Sequence, residues 1–214
     1  MKVSVVKNIL AANDRIAEEN RELFDQKRVF VINLMSSPGA GKTSLLEAMG
    51  RQLGSQLRIG VIEGDIQSTL DAERVAEAGI RAVQIETAGA CHLDANMIRS
   101  SLNDIDLAEL DLLVVENVGN LVCPAEFNLG EHRKIMMLSI TEGDDKPLKY
   151  PLMFQESQAL LISKVDLLPY VRCDLEKIKE TARLLNPAIR VFEISTYTGQ
   201  GLNEWHNWLL EQKE

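Results

Sequence analysis

"VFVINLMSSPGAGKTSLLEAM", residues 29–49, joins an apolar run, a run of small residues and a helical pattern without a break. The run 29–35 reads as a buried strand, and a helix is expected to open at Thr43 or Ser44. Between them, "SSPGAGKT" (36–43) has the spacing of a phosphate-binding loop. Small residues let successive backbone N–H groups converge on phosphate oxygens, and the helix N-terminus adds partial positive charge. Ser37, Pro38, Gly39, Ala40 and Gly41 would form the cradle, with Ser44 in the first helical turn. Lys42 would reach the β and γ phosphates, and Thr43 would place its hydroxyl on Mg2+. Ser36 stands where the motif usually has its first glycine.

Six more apolar runs follow at 58–63, 81–86, 111–116, 134–140, 159–163 and 189–195. Because they are continuously apolar rather than alternating, they read as strands covered on both faces. The predicted fold is α/β, a doubly wound, mostly parallel sheet of about seven strands with helices on both faces. Val3, Val6, Leu10, Ala17, Leu23 and Phe24 recur at helical spacing, so residues 1–27 are expected to form an amphipathic helix packed on a single domain spanning 1–214. "TEGDDKPLKYP" (141–151), with two prolines and three carboxylates, is expected to be a long loop.

Ligands of such sheets bind beyond the carboxyl ends of the strands. Asp65 and Glu116 lie at ends of apolar runs, where they would coordinate Mg2+, Asp65 also orienting the attacking water. In "ENVG", the backbone N–H of Gly119 would sense the γ-phosphate. "SKVD" (163–166) stands where guanine-specific proteins carry Asn-Lys-x-Asp. Asp166 can accept from guanine N1–H and the exocyclic amine, which adenine does not match, so GTP is favoured over ATP. Lys164 would lie along the base, Ser163 replaces the usual Asn, and Ser195 in "STYTGQG" opens a further base loop.

A net charge of -9 and no basic block argue against nucleic acid or anionic lipid as partner. No stretch approaches the apolar length of a membrane span, and no secretory leader is evident, so the expected location is the cytoplasm. Three widely spaced cysteines exclude a disulfide framework. Cys91 and His92 follow the third run and Cys123 follows Gly119, so both loops should emerge at the carboxyl edge, where two thiolates and an imidazole suit Zn2+ or Ni2+. Neighbours in sequence would point apart on a helix, so a two-fold dimer pooling two sets is one way to complete the shell. Cys173 reads as structural.

Together these residues resemble the hydrogenase nickel-incorporation GTPases, the HypB family. The resemblance runs through "NDRIAEENRELF", "SSPGAGKTSLLE", "EGDIQSTLDAERV", "GACHLDANMI", "ENVGNLVCPAEFNLGEH", "TEGDDKPLKYPLMF", "SKVDLLPY" and "STYTGQGLNEW". It implies that Ser36 is tolerated and that Cys91, His92 and Cys123 bind nickel or zinc at a nucleotide-dependent homodimer interface. It also implies GTP/GDP as ligand, a HypA-type zinc metallochaperone as a nickel source, and the hydrogenase large subunit as direct or indirect recipient. The expected function is GTP hydrolysis coupled to nickel delivery in [NiFe]-hydrogenase maturation. A urease-type maturation GTPase, a P-loop small-molecule kinase and a nucleotide switch with an incidental metal site are the alternatives.

Overall fold

The computed structural model describes residues 3–64, 74–87 and 89–213, with residues 3–9 described by their backbone alone. Seven strands, β1 (Phe30–Ser36), β2 (Ile59–Glu63), β3 (Arg81–Gln84), β4 (Leu112–Glu116), β5 (Arg133–Ser139), β6 (Ala159–Ser163) and β7 (Arg190–Ile194), form one sheet in the order β3-β2-β4-β1-β5-β6-β7. Every pairing is parallel. The apolar runs predict the strands to within two residues at each end, and the continuous pattern has the expected cause. β1, β2, β4 and β6 are buried along their whole length, whereas the edge strands β3 and β7 are partly exposed.

Period-two alternation divides β1 between two cores. Phe30, Ile32 and Leu34 pack on one face with Leu45, Leu46 and Met49 of α2 (Lys42–Leu53) and with Trp205 and Leu209 of the last helix (Leu202–Lys213). On the opposite face, Val31 belongs to a cluster with Phe24 and Ile98, and Met35 to one with Met153, Phe154 and Ile178. Helices therefore cover both faces, as expected.

The segment expected to be a long loop instead folds into a 3-10 turn (Ile140–Glu142) and two short helices, Lys146–Lys149 and Pro151–Glu156. Each proline stands in a first helical turn, where its missing N–H costs nothing and its fixed φ suits the helix. Ser139 and Glu142 close a capping box on the turn. Those carboxylates do not simply seek water, since Asp144 takes Lys177 at 2.7 Å and Asp145 pairs with Lys149.

The first helix, α1 (Val3–Lys27), buries Ala17 and Phe24, but buried asparagines do much of the docking. Asn20 donates from Nδ2 to the carbonyls of Ala95 (2.8 Å) and Leu129 (3.1 Å). Asn13 donates to the Asn128 carbonyl and accepts from the Ala95 N–H. Both therefore grip Ala95, the first residue of helix α3 (Ala95–Ser101), which Asp94 caps by accepting from the Met97 N–H.

Asn20→Ala leaves two buried carbonyls without their donor and is expected to cost about 2–3 kcal/mol in urea unfolding, with no change in denaturant slope. His206, buried without a partner for Nε2 among the described residues, has a pKa pushed down to about 4 by burial. Between that value and the unfolded value of about 6.5, the unfolded chain binds more protons, so stability falls as pH drops through this window. Unfolding measured from pH 7 to pH 4 should show a shallower decline for His206→Leu than for the unsubstituted chain.

Candidate functional site

The loop after β1 turns into α2 through Gly41, whose φ of +105° lies in the left-handed region that a side chain disfavours. Lys42 then opens the helix, one residue earlier than expected. Its Nζ lies 3.1 Å from Ser36 Oγ and 3.9 Å from Glu116 Oε1. Ser36 thus orients the lysine from the end of β1, a contact unavailable to glycine. Pro38, Gly39, Gly41, Lys42, Thr43 and Ser44 line a cleft of about 410 Å³, shared with Arg74, Glu116, Val118, Gly119 and Lys164. Among the described residues, Ser37 Oγ is buried without a partner, and Ala40 is buried. Gly119 is fixed by close approach, since a Cβ there would lie 2.8 Å from Pro38 Cγ.

Thr43 and Glu116 present a hydroxyl and a carboxylate to this one cleft, a donor set suited to a hard divalent cation. Asp65, the other residue expected to hold Mg2+, lies outside the described residues.

Base-loop residues reach the phosphate loop directly. Ser163 Oγ donates to the Ala40 carbonyl at 2.7 Å, and Lys164 Nζ donates to the Gly39 carbonyl at 2.7 Å. Ser163, in place of Asn, thereby still ties the two loops together. Asp166 and Lys164 line an adjoining cleft with Ser44, Thr196 and Tyr197. Ser195 itself is fully buried, its hydroxyl accepting from the Thr198 N–H to close its own turn.

The thiols and imidazole converge. One ligand atom from each of Cys91, His92 and Cys123 lies within 4.8 Å of the others. Cys91 Sγ is 3.1 Å from Cys123 Sγ and 3.5 Å from His92 Nδ1. Sequence adjacency does not separate Cys91 from His92, because both sit on a bend before α3 rather than on a helix. The contact between the two sulfurs is a hydrogen bond in which Cys91 donates to Cys123. Its hydrogen bond with Cys91 and its partial burial raise the Cys123 pKa, whereas burial lowers that of His92 and favours the neutral, ligating imidazole.

Residues 30–193 match the family described as CobW/HypB/UreG, nucleotide-binding domain. Over 209 residues the chain is 49% identical to the hydrogenase maturation factor HypB of Azotobacter vinelandii, covering 98% of this chain and 69% of that protein. The chain belongs to the HypB family. Its fold superposes on the crystal structure of HypB from Archaeoglobus fulgidus with a TM-score of 0.90, at 41% identity, over 96% of this chain and all of that one. The structure of HypB from Helicobacter pylori in complex with nickel gives a TM-score of 0.89 at 40% identity, over 94% of this chain and 95% of that one.

Within this family framework, several neighbours of the sites escape a reading of motifs. The His92 ring lies against Phe127, with centroids 3.8 Å apart and planes 30° apart. Arg74, paired with Glu47 at 2.7 Å, lines the cleft at the phosphate loop, and Thr196 and Tyr197 line the cleft beside Asp166. None has a fixed spacing from a motif that would single it out. The Phe127 contact orients the His92 ring, and ring contacts of this kind contribute about 0.5–1.5 kcal/mol. Phe127→Ala is expected to weaken soft-metal binding by roughly threefold to tenfold in competition with a chromophoric chelator.

Proposed function

We propose that the chain hydrolyses GTP and, as a metallochaperone of [NiFe]-hydrogenase maturation, couples that cycle to binding and release of nickel at Cys91, His92 and Cys123. One observation carries the reading: Gly119 packs against Pro38 of the phosphate loop, and four residues later Cys123 meets Cys91. Family membership supports the nucleotide site, and the nickel complex of the Helicobacter pylori relative supports the cargo. Two thiolates and an imidazole suit Ni2+ with its N and S donors, while Zn2+ remains the competing ion.

In this mechanism Lys42 and the loop's backbone N–H groups hold the β and γ phosphates. Thr43 and Glu116 would hold Mg2+, whose charge would offset that of the phosphates. Asp65 orients the attacking water, which adds to the γ-phosphorus as the bond to the β–γ bridging oxygen breaks. Gly119 reads the γ-phosphate through its N–H, while Asp166 selects guanine and Lys164 covers the base. Loss of the γ-phosphate lets Gly119 relax, and the displacement reaches Cys123 through a short connection. Reciprocity requires nickel to alter nucleotide affinity by the same factor.

Three ligands leave room for a fourth donor, so nucleotide or metal would favour a homodimer in which two clusters approach. A HypA-type zinc metallochaperone would supply nickel, and the hydrogenase large subunit would receive it directly or indirectly. The cytoplasm is the proposed setting; no helix among the described residues is long and apolar enough to cross a membrane.

Nickel titration of the nucleotide-free, GDP and GTP-analogue forms, with mass followed in solution, should give affinities that differ at least fivefold between nucleotide states. Equal affinities would reject the coupling. Lys42→Ala should abolish phosphate release, and Asp166→Ala should erase a preference for GTP over ATP measured by competition.

A further inference from the structure

Asn117 follows β4 directly and is buried, with its backbone N–H donating 3.0 Å to the Leu34 carbonyl. Both polar atoms of its side-chain amide are engaged. Nδ2 donates to Asn33 Oδ1 at 3.1 Å, while Oδ1 accepts from both the Val118 N–H (2.9 Å) and the Leu93 N–H (3.1 Å). Asn33, fully buried in the central strand, is held in turn by Glu131 Oε1 at 3.3 Å. One end of Asn117 is therefore anchored in the sheet, and its oxygen joins the phosphate-facing segment to the residue after His92.

A second asparagine makes the same connection three residues later. Asn120 Nδ2 donates to the Cys91 carbonyl at 3.1 Å, and its Oδ1 accepts from the Val122 N–H at 2.9 Å. Gly119 lies between the two asparagines and against Pro38. Leu93, fully buried, packs over Gly64 at the end of β2, so the Cys91 loop is seated on the sheet through its side chain as well.

We propose that Asn117 and Asn120 form a clamp that makes Val118–Gly119 and the Cys91–His92 loop move as one unit, so that nucleotide state acts on all three metal ligands rather than on Cys123 alone. The physical reason is the cost of orphaned polar groups. If Gly119 shifts while the Cys91 loop stays, the buried Leu93 N–H loses its partner, which is expensive, and the exposed Cys91 carbonyl gives up the Asn120 bond for water at smaller cost. Moving both segments together keeps the bonds. The two asparagines are positioning residues, since neither supplies a ligand atom to the Cys91–His92–Cys123 cluster and neither lines the phosphate cleft.

This inference rests on the nickel-coupled GTPase reading, and its test separates the two. Nickel affinity is measured from the near-ultraviolet nickel–thiolate absorbance of the unsubstituted chain, Asn117→Ala and Asn120→Ala, each nucleotide-free, with GDP and with a non-hydrolysable GTP analogue. The unsubstituted chain should show a ratio between nucleotide states of roughly fivefold to 150-fold. In Asn117→Ala that ratio should fall to within about twofold of unity, while nickel affinity without nucleotide and nucleotide affinity without metal each stay within about threefold. Asn120→Ala should lower the ratio by at least about threefold. Full wild-type ratios in both variants would overturn the clamp while leaving nickel coupling intact. Should Asn117→Ala fail to fold, the partly exposed Asn120 decides alone, and an undiminished ratio there overturns the clamp. A ratio of unity in the unsubstituted chain would instead overturn the parent reading, and the clamp with it.

Discussion

Parallel pairing of β1 with both β4 and β5, with Leu34 opposite Glu116 and Ser36 opposite Met137, sends the chain out of one edge of the sheet three times in neighbouring positions. The phosphate loop leaves β1, the Asn117–Cys123 segment leaves β4, and the turn capped by Ser139 leaves β5. An antiparallel neighbour would place the ends of its strand at the opposite edge. Lys42 meets Glu116, and Gly119 meets Pro38, because strand direction and register bring those loops together before any ligand arrives.

Much of this architecture was legible because its causes are local. Continuous apolar runs of strand length, separated by helical patterns, have few solutions other than a covered parallel sheet. The phosphate loop was legible for a similar reason: strand, small residues, lysine and helix must occur in that order. Cys91, His92 and Cys123 could be grouped because chain direction placed both loops at one edge, although residue spacing alone could not show that a bend turns Cys91 and His92 toward each other.

The buried polar residues were not legible. Asn13, Asn20, Asn33 and Asn117 look in isolation like surface or turn residues, because asparagine readily bonds to nearby backbone. Their partners are distant in sequence: Asn20 grips Ala95 and Leu129, and Asn117 grips Asn33 and Leu93. The prolines at 147 and 151 misled for the opposite reason, since a residue that breaks helix interiors is favourable at their starts. Ser163 lacked an obvious role until the Ala40 carbonyl appeared as its acceptor, a contact that depends on the packing of β6 beside the phosphate loop.

Strand order also has a consequence for synthesis. β1 emerges early, but its neighbours in the sheet are β4 and β5, so it cannot pair until both β2 and β3 have also been made. During that interval its apolar surfaces have no finished sheet in which to hide, and long-range parallel pairing is slow because loop closure precedes its reward. A nascent chain that has only its phosphate-loop motif is therefore not yet a nucleotide-binding protein. The Asn33–Asn117 bond must wait for residue 117 and the Asn33–Glu131 bond for residue 131, so the polar centre of the sheet cannot be complete when β1 emerges.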